Sequence, residues 1–191
     1  MASLGRWLFL LLALPLGGFL RGEEAAFLTV KRVVDGDTLV LSNNEKVRLI
    51  GVDTPEYHPT AKQRRDAQRS RKDVRTIKAQ GAQASVFTKG LVDGRRVKLE
   101  YDNGNAATHH RDRYGRLLAY VYFMEAHEDD FSDSITADIR ALSTYREGFL
   151  NGLLIEAGYG HALTRYPFKH KDRFLKYERD ARRTGRGLWK E

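Results

Sequence analysis

Alternating apolar and polar positions divide the first half of the chain into short strands. Leu28, Val30 and Val33-Val34 mark one strand over 28–34, and a second and third follow over 38–41 and 46–52. Asp35-Gly36 and Ser42-Asn43-Asn44 carry turn chemistry between them. Three strands so closely spaced predict an antiparallel meander that curls toward a barrel. After Pro55 the pattern changes. Residues 62–78 are dense in Arg, Lys and Gln and read as a basic loop running into a helix. Ala84, Phe87 and Leu91 then recur at helical spacing over 77–91, and Asp93-Gly94 stops that helix. Val97, Leu99 and Tyr101 alternate in a fourth strand over 96–101, and a fifth covers 116–123. A polar loop over 102–112 lies between the two. Residues 125–143 are acidic and irregular and read as an insertion loop. Phe149, Leu150, Leu153 and Leu154 predict a helix over 145–157, closed by Gly158, with a short strand over 159–163. A charged amphipathic helix over 169–183 shows Phe174, Leu175 and Tyr177 on its apolar face, and Trp189 tucks back beyond it. The five longer strands and three helices in one unit predict a small α+β barrel.

Composition adds two constraints. The 191 residues carry 33 Lys+Arg against 25 Asp+Glu, a net charge of +8, which favours a polyanionic partner, either nucleic acid or an acidic membrane surface. The absence of cysteine excludes disulfides, zinc–thiolate sites and cysteine nucleophiles.

The N-terminus reads as a targeting segment. Arg6 precedes an apolar run over 7–16, short for a membrane span and suited to the core of a signal peptide. Residues 1–26 are therefore expected to be a signal peptide, cut between Gly22 and Ala26, or an uncleaved anchor. Residues 27–191 form one domain. Removing Arg6 and Arg21 takes the charge from +8 to +6, so the basic character belongs to the mature chain.

Three segments concentrate chemistry: Val34-Asp35-Gly36-Asp37-Thr38, Arg48 through Asp53-Thr54-Pro55-Glu56, and Asp112-Arg113-Tyr114-Gly115-Arg116. If the second and third strands pair in a closed barrel, Asp37, Asp53 and Glu56 meet at one rim. Three acids brought together repel one another unless a cation sits among them. Oxygen donors without His or Cys suit Ca²⁺ or Mg²⁺, and an exported protein meets abundant Ca²⁺. Arg48 and Asp53, five residues apart, face opposite ways in a regular strand, so a shared site requires a bend, for which Gly51 is the obvious place. Two guanidinium groups beside a metal could grip a phosphate and neutralise charge during phosphoryl transfer by an activated water.

Each segment also has a plain reading. Asp35-Gly36 alone is a hairpin turn, Asp53 to Glu56 alone a turn or helix start, and Arg116 alone a solvated charge. His109-His110 reads as a solvated loop pair, and Gly158-Tyr159-Gly160 as a helix stop rather than a nucleotide fingerprint. The functional reading needs all three segments in this order.

Together, D-G-D-T, R-x-x-x-x-D-T-P-E and D-x-Y-G-R resemble the staphylococcal nuclease family, and the similarity extends from Phe27 to Trp189, including the ending Gly187-Leu188-Trp189. The resemblance implies an OB-fold barrel with three helices. It implies a Ca²⁺ ion held by Asp37 and Asp53 with the carbonyl of Thr54, and Asp35 supporting from behind. It further implies Glu56 as candidate general base, Arg48 and Arg116 on the scissile phosphate, and Tyr114 and Tyr166 lining the nucleotide pocket. The implied activity is that of a secreted or periplasmic, monomeric endonuclease that leaves 3′-phosphorylated fragments of DNA and RNA. The stretch over 62–75 is longer than the usual loop after T-P-E, the insertion over 125–143 has no counterpart, and Thr164 stands where relatives often carry Tyr. A barrel that binds nucleic acid without cutting it, or a membrane-surface protein using an uncleaved anchor, are the alternative expectations.

Overall fold

The computed structural model describes residues 27–57, 68, 73–125 and 146–190. Residues 1–26, where a targeting segment is expected, and most of both insertions lie outside the described residues. Among the described residues, eight strands and three α-helices follow in chain order: β1 (Leu28–Asp35), β2 (Thr38–Leu41), β3 (Lys46–Leu49), β4 (Val52–Asp53), α1 (Val74–Val92), β5 (Arg96–Glu100), β6 (Leu117–Glu125), β7 (Arg146–Phe149), α2 (Leu150–Glu156), β8 (His161–Ala162) and α3 (Lys171–Arg183). Short 3₁₀ turns occupy Asn103–Thr108 and Gly187–Trp189.

Five strands close a barrel in the order β3-β2-β1-β5-β6, and β6 returns to pair with β3 in parallel. The chain therefore has the α+β barrel that its pattern predicts, in the OB-fold architecture that the family resemblance implies. The interior is filled by inward residues of these strands, among them Val30, Leu39, Leu41, Val47, Val121 and Phe123, each at most 1% exposed. Burying an aliphatic or aromatic side chain of this size contributes about 1.5–3 kcal/mol. Leu150, Leu154 and Ile155 of α2 and Phe174 of α3 complete this core.

Two departures from the sequence pattern concern strands. Residues 46–52 do not form one strand: β3 stops at Leu49, Gly51 takes a φ of +73°, and β4 starts a new direction at Val52 to pair with β8. The kink frees the Ile50 carbonyl, which accepts from Asn151 Nδ2 at 3.0 Å, while Asn151 Oδ1 accepts from the Val121 amide at 2.9 Å. Asn151 is fully buried, so it satisfies backbone groups that water cannot reach. The second departure is at 146–149. Sequence periodicity places a helix over 145–157, but the first part is strand β7, whose Glu147, Gly148 and Phe149 pair with Met124, Phe123 and Tyr122 of β6. The helix begins only at Leu150.

Helix α1 is longer than its apolar spacing suggests. Asp73 caps it by accepting from the Thr76 amide at 2.7 Å, and Gly94, at a φ of +72°, follows its end. Its buried face runs through Ile77, Gly81, Ala84, Thr88 and Val92, at steps of three and four residues. At the C-terminus, Trp189 lies edge-on to His161, with ring centroids 5.0 Å apart, and beneath the Arg182 guanidinium at 4.3 Å.

Candidate functional site

The barrel register gathers one rim. Thr38 of β2 pairs with Arg48 of β3, and Arg48 pairs in turn with Leu118 of β6, two residues after Arg116. Asp37 stands immediately before β2. With Gly36 it forms the two-residue turn between β1 and β2, because Asp35 pairs directly with Thr38. Gly36 is required there by close approach: a Cβ would stand 2.8 Å from Ala84 Cβ and 2.9 Å from Thr54 Cγ2.

Arg48 is the centre of the rim. Its Nη1 forms an ion pair with Asp37 Oδ1. Its Nη2 reaches Asp53 Oδ1 at 2.9 Å and the Val52 carbonyl at 3.1 Å. The Gly51 kink makes this possible by turning β4 back toward β3. Asp37 Oδ2 accepts from both the amide and the hydroxyl of Thr54, at 2.8 and 3.0 Å, and Asp37 Oδ1 accepts from Thr38 Oγ1 at 3.1 Å. Asp37 and Thr54 are only 3% and 2% exposed. Burial pushes the Arg48 guanidinium below its ordinary pKa; the Asp53 and Glu56 charges oppose that shift and the Arg116 charge adds to it. Arg48, Asp53, Glu56 and Arg116 thus share one electrostatic field. Asp35 lies beside this turn, and its Oδ1 is buried without a hydrogen-bond partner.

Arg116 is held by Asp112, four residues earlier. Asp112 Oδ2 accepts from Arg116 Nε and Nη2, each at 2.7 Å, while Oδ1 accepts from the Tyr114 and Arg116 amides at 2.9 and 3.0 Å. Burial alone would raise the Asp112 carboxyl, but these bonds hold it below the usual carboxylate range. Arg116 Nη1 approaches Thr38 Oγ1 at 3.5 Å. Arg111 braces the same turn: it donates to the Gly115 carbonyl at 2.8 Å and grips Glu45 through two bonds of 2.9 Å.

Two exposed tyrosines sit near arginines. Tyr114 is 67% exposed, with the Arg113 and Arg116 guanidinium carbons 4.7 and 5.4 Å from its ring centroid. Tyr166 is 61% exposed, with Arg165 at 5.6 Å, in the segment after the bond from the Leu163 amide to the Gly51 carbonyl. Flat rings of this kind can stack on bases. His110, one of the adjacent histidines, stacks on Tyr101 with ring centroids 4.8 Å apart.

The structure thus brings Asp37, Arg48, Asp53 and Thr54 into direct contact and sets Arg116 beside Thr38. Sequence reading assigned no task to Asp112, Arg111, Glu45 or Thr38. For Asp112 the signal was available, as an acid four residues before an arginine across a Tyr-Gly turn. Glu45 and Arg111 are 66 residues apart and carry no such local mark.

Among the described residues no group of three or more carboxylate or imidazole ligands gathers closely enough to hold a metal ion. The Asp37 and Asp53 carboxylates nevertheless converge on one cation, the Arg48 guanidinium, with only oxygen donors around it. That donor chemistry fits a hard divalent ion resting on two carboxylates, a main-chain carbonyl and water.

A family model described as Staphylococcal nuclease homologue matches residues 46–191. Thermonuclease from Staphylococcus intermedius is 42% identical over 105 residues, covering 53% of this chain and 50% of that protein. Thermonuclease from Staphylococcus hyicus is 38% identical over 96 residues, covering 49% and 46%. Endonuclease YncB from Bacillus subtilis (strain 168) is 39% identical over 97 residues, covering 49% and 38%. The chain spans half or less of the length of these relatives.

Proposed function

The chain belongs to the staphylococcal nuclease family, and on that premise we propose that it is a nuclease that hydrolyses phosphodiester bonds of DNA and RNA with the help of Ca²⁺. The observation that carries this reading is the Arg48 guanidinium spanning Asp37 and Asp53 at a barrel rim that also presents Arg116. Structural packing alone does not call for two acids and two arginines at one half-buried rim. Phosphoryl transfer needs both charge signs there.

In this reading Asp37 and Asp53, with the Thr54 carbonyl, hold the ion, and Asp35 supports the turn from behind. When bound, Ca²⁺ would polarise a phosphate oxygen and offset its charge. Arg48 donates to the phosphate from one side. Arg116, whose Nε and Nη2 stay on Asp112, turns Nη1 toward it from the other. Glu56, half-buried at the end of the same loop, accepts a proton from the attacking water. The water oxygen bonds to phosphorus, the bond to the 5′ oxygen breaks and that oxygen leaves as a hydroxyl with a proton from solvent, so the phosphate stays on the 3′ side. Tyr114 and Tyr166 offer stacking surfaces to the flanking bases. The apolar run over 7–16 supports a working place outside the cytoplasm, secreted, periplasmic or tethered to a membrane.

The test is cleavage of single- and double-stranded substrates by the chain in Ca²⁺, in Mg²⁺ and with chelator. Activity should follow Ca²⁺. Glu56→Ala, Arg48→Ala and Arg116→Ala should each lower the rate by about 10²-fold or more with the fold intact. Full activity in all three variants would refute these roles. Binding without cleavage in Ca²⁺ would make the chain a nucleic-acid-binding module instead.

A further inference from the structure

Helix α1 touches two of the three segments that carry the candidate chemistry, and it does so through residues that have no part in the mechanism. Gly81 is buried near the middle of the helix. A Cβ there would lie 2.6 Å from the carbonyl carbon of Glu56 and from the amide nitrogen of Tyr57, and 2.7 Å from the Pro55 oxygen. The peptide that follows Glu56 thus rests directly on the helix backbone. Seven residues on, the fully buried Thr88 donates its hydroxyl to the Gly36 carbonyl at 2.7 Å. Gly36 forms the turn with Asp37 and presses against Ala84 and Thr54. One helix face therefore seats the acid turn and the Glu56 segment.

A glycine inside a helix costs about 1 kcal/mol relative to alanine. Gly90, in the same helix, has nothing within 4 Å of its would-be Cβ, so no packing requires it. Gly81 is different, since only the missing methyl lets the two backbones meet.

We propose that Gly81 and Thr88 are positioning residues: α1 acts as a rigid spacer that sets where Glu56 stands relative to the Asp37 turn. The helix backbone fixes the height of the 56–57 peptide, and the Thr88 hydroxyl fixes the Gly36-Asp37 turn against the same surface. A displacement of about 1 Å in a group of this kind costs on the order of 10²-fold in rate. The inference rests on the nuclease reading above and goes beyond it, because neither residue contacts substrate.

The experiment compares Gly81→Ala, Gly90→Ala, Thr88→Val and Thr88→Ser in the full chain. It measures kcat per folded molecule and KM on DNA, together with the ¹H–¹⁵N amide peaks of Glu56 and Tyr57. Gly81→Ala should lower kcat by about 10- to 100-fold, leave KM within about twofold, and move both amide peaks. Gly90→Ala should leave kcat, KM and both peaks as in the wild type. Thr88→Val should lower kcat while Thr88→Ser restores it, and this pair decides the matter alone if Gly81→Ala does not fold. Wild-type kcat in Gly81→Ala with unmoved Glu56 and Tyr57 peaks would overturn the inference, as would wild-type kcat in Thr88→Val. A wild-type chain that cuts nothing would strike the proposed function alone, and the amide peaks would still decide the placement by α1.

Discussion

Asp37 Oδ2 receives two hydrogen bonds from Thr54, one from the amide at 2.8 Å and one from the hydroxyl at 3.0 Å. The two residues are 17 positions apart, and both are almost fully buried. Their contact ties the first hairpin to the end of β4. Without it, the carboxylate would face Arg48 with one oxygen and little else to fix its angle.

Thr54→Val keeps the shape and removes the hydroxyl. It should destabilise the chain by about 1–2 kcal/mol, since a buried carboxylate oxygen loses a donor. Urea unfolding measures this directly. An unchanged midpoint would mean that the amide bond alone suffices.

Gly51→Ala should be more damaging. The new methyl would sit at a φ of +73° and 2.6 Å from the Phe168 ring. Left-handed backbone and overpacking together predict a loss of about 2–5 kcal/mol. The contact between Arg48 and Asp53 depends on this kink, so the variant should also lose activity at temperatures where it remains folded. Equal stability of variant and wild type in urea would contradict the role of the kink.

Arg48→Gln removes the cation shared by Asp37 and Asp53. Breaking an ion pair this buried costs about 3 kcal/mol, because the acids left behind repel each other. On the proposed Ca²⁺ site, adding the ion should restore more stability to this variant than to the wild type. Calorimetric melting in Ca²⁺ and in chelator gives the comparison. An equal rise in Tm for both proteins would show that ion and guanidinium do not compete for these carboxylates.

A pH effect is expected at His170, the residue before α3. Its ring lies 4.7 Å from that of Tyr120 and 5.2 Å from that of Phe149, and its Nε2 is buried without a partner. Burial pushes the imidazole below its ordinary pKa, and the neighbouring Lys169 charge adds to the shift. The unfolded chain therefore takes up the proton first. The stability contributed by neutral His170 is complete above about pH 6.5 and is lost as pH falls through the lower folded value. Tm should decline as pH falls below about 6.5, and His170→Phe should flatten that decline. An identical slope in the variant would assign the effect to another group.

Much of this architecture could be read from local pattern. The alternation over 28–52 and the Asp-Gly signal define the hairpin that presents Asp37, and the spacing of Arg48 and Asp53 calls for a bend, for which Gly51 is the obvious place. Helices α1 and α3 show in their apolar periodicity. The strand at 146–149 did not, because Phe149 and Leu150 fit a helical period equally well. What made it a strand was the open edge of β6, a partner that periodicity does not register.

The amino-acid order by itself determined which chemical groups the protein owns, the short range over which its turns and helices form, and the family to which it belongs. Tertiary structure decided what those groups face. The parallel pairing of β3 with β6 joins residues 70 positions apart, Val47 with Leu117, and brings Arg116 to the Asp37 rim. The Glu45–Arg111 brace spans the same closure, and the seat of Glu56 on Gly81 arises where helix α1 packs on the 55–57 segment. The physical reason is that hydrogen bonding and packing between distant segments depend on the closed barrel as a whole, whereas sequence periodicity reports only which face of each element turns inward.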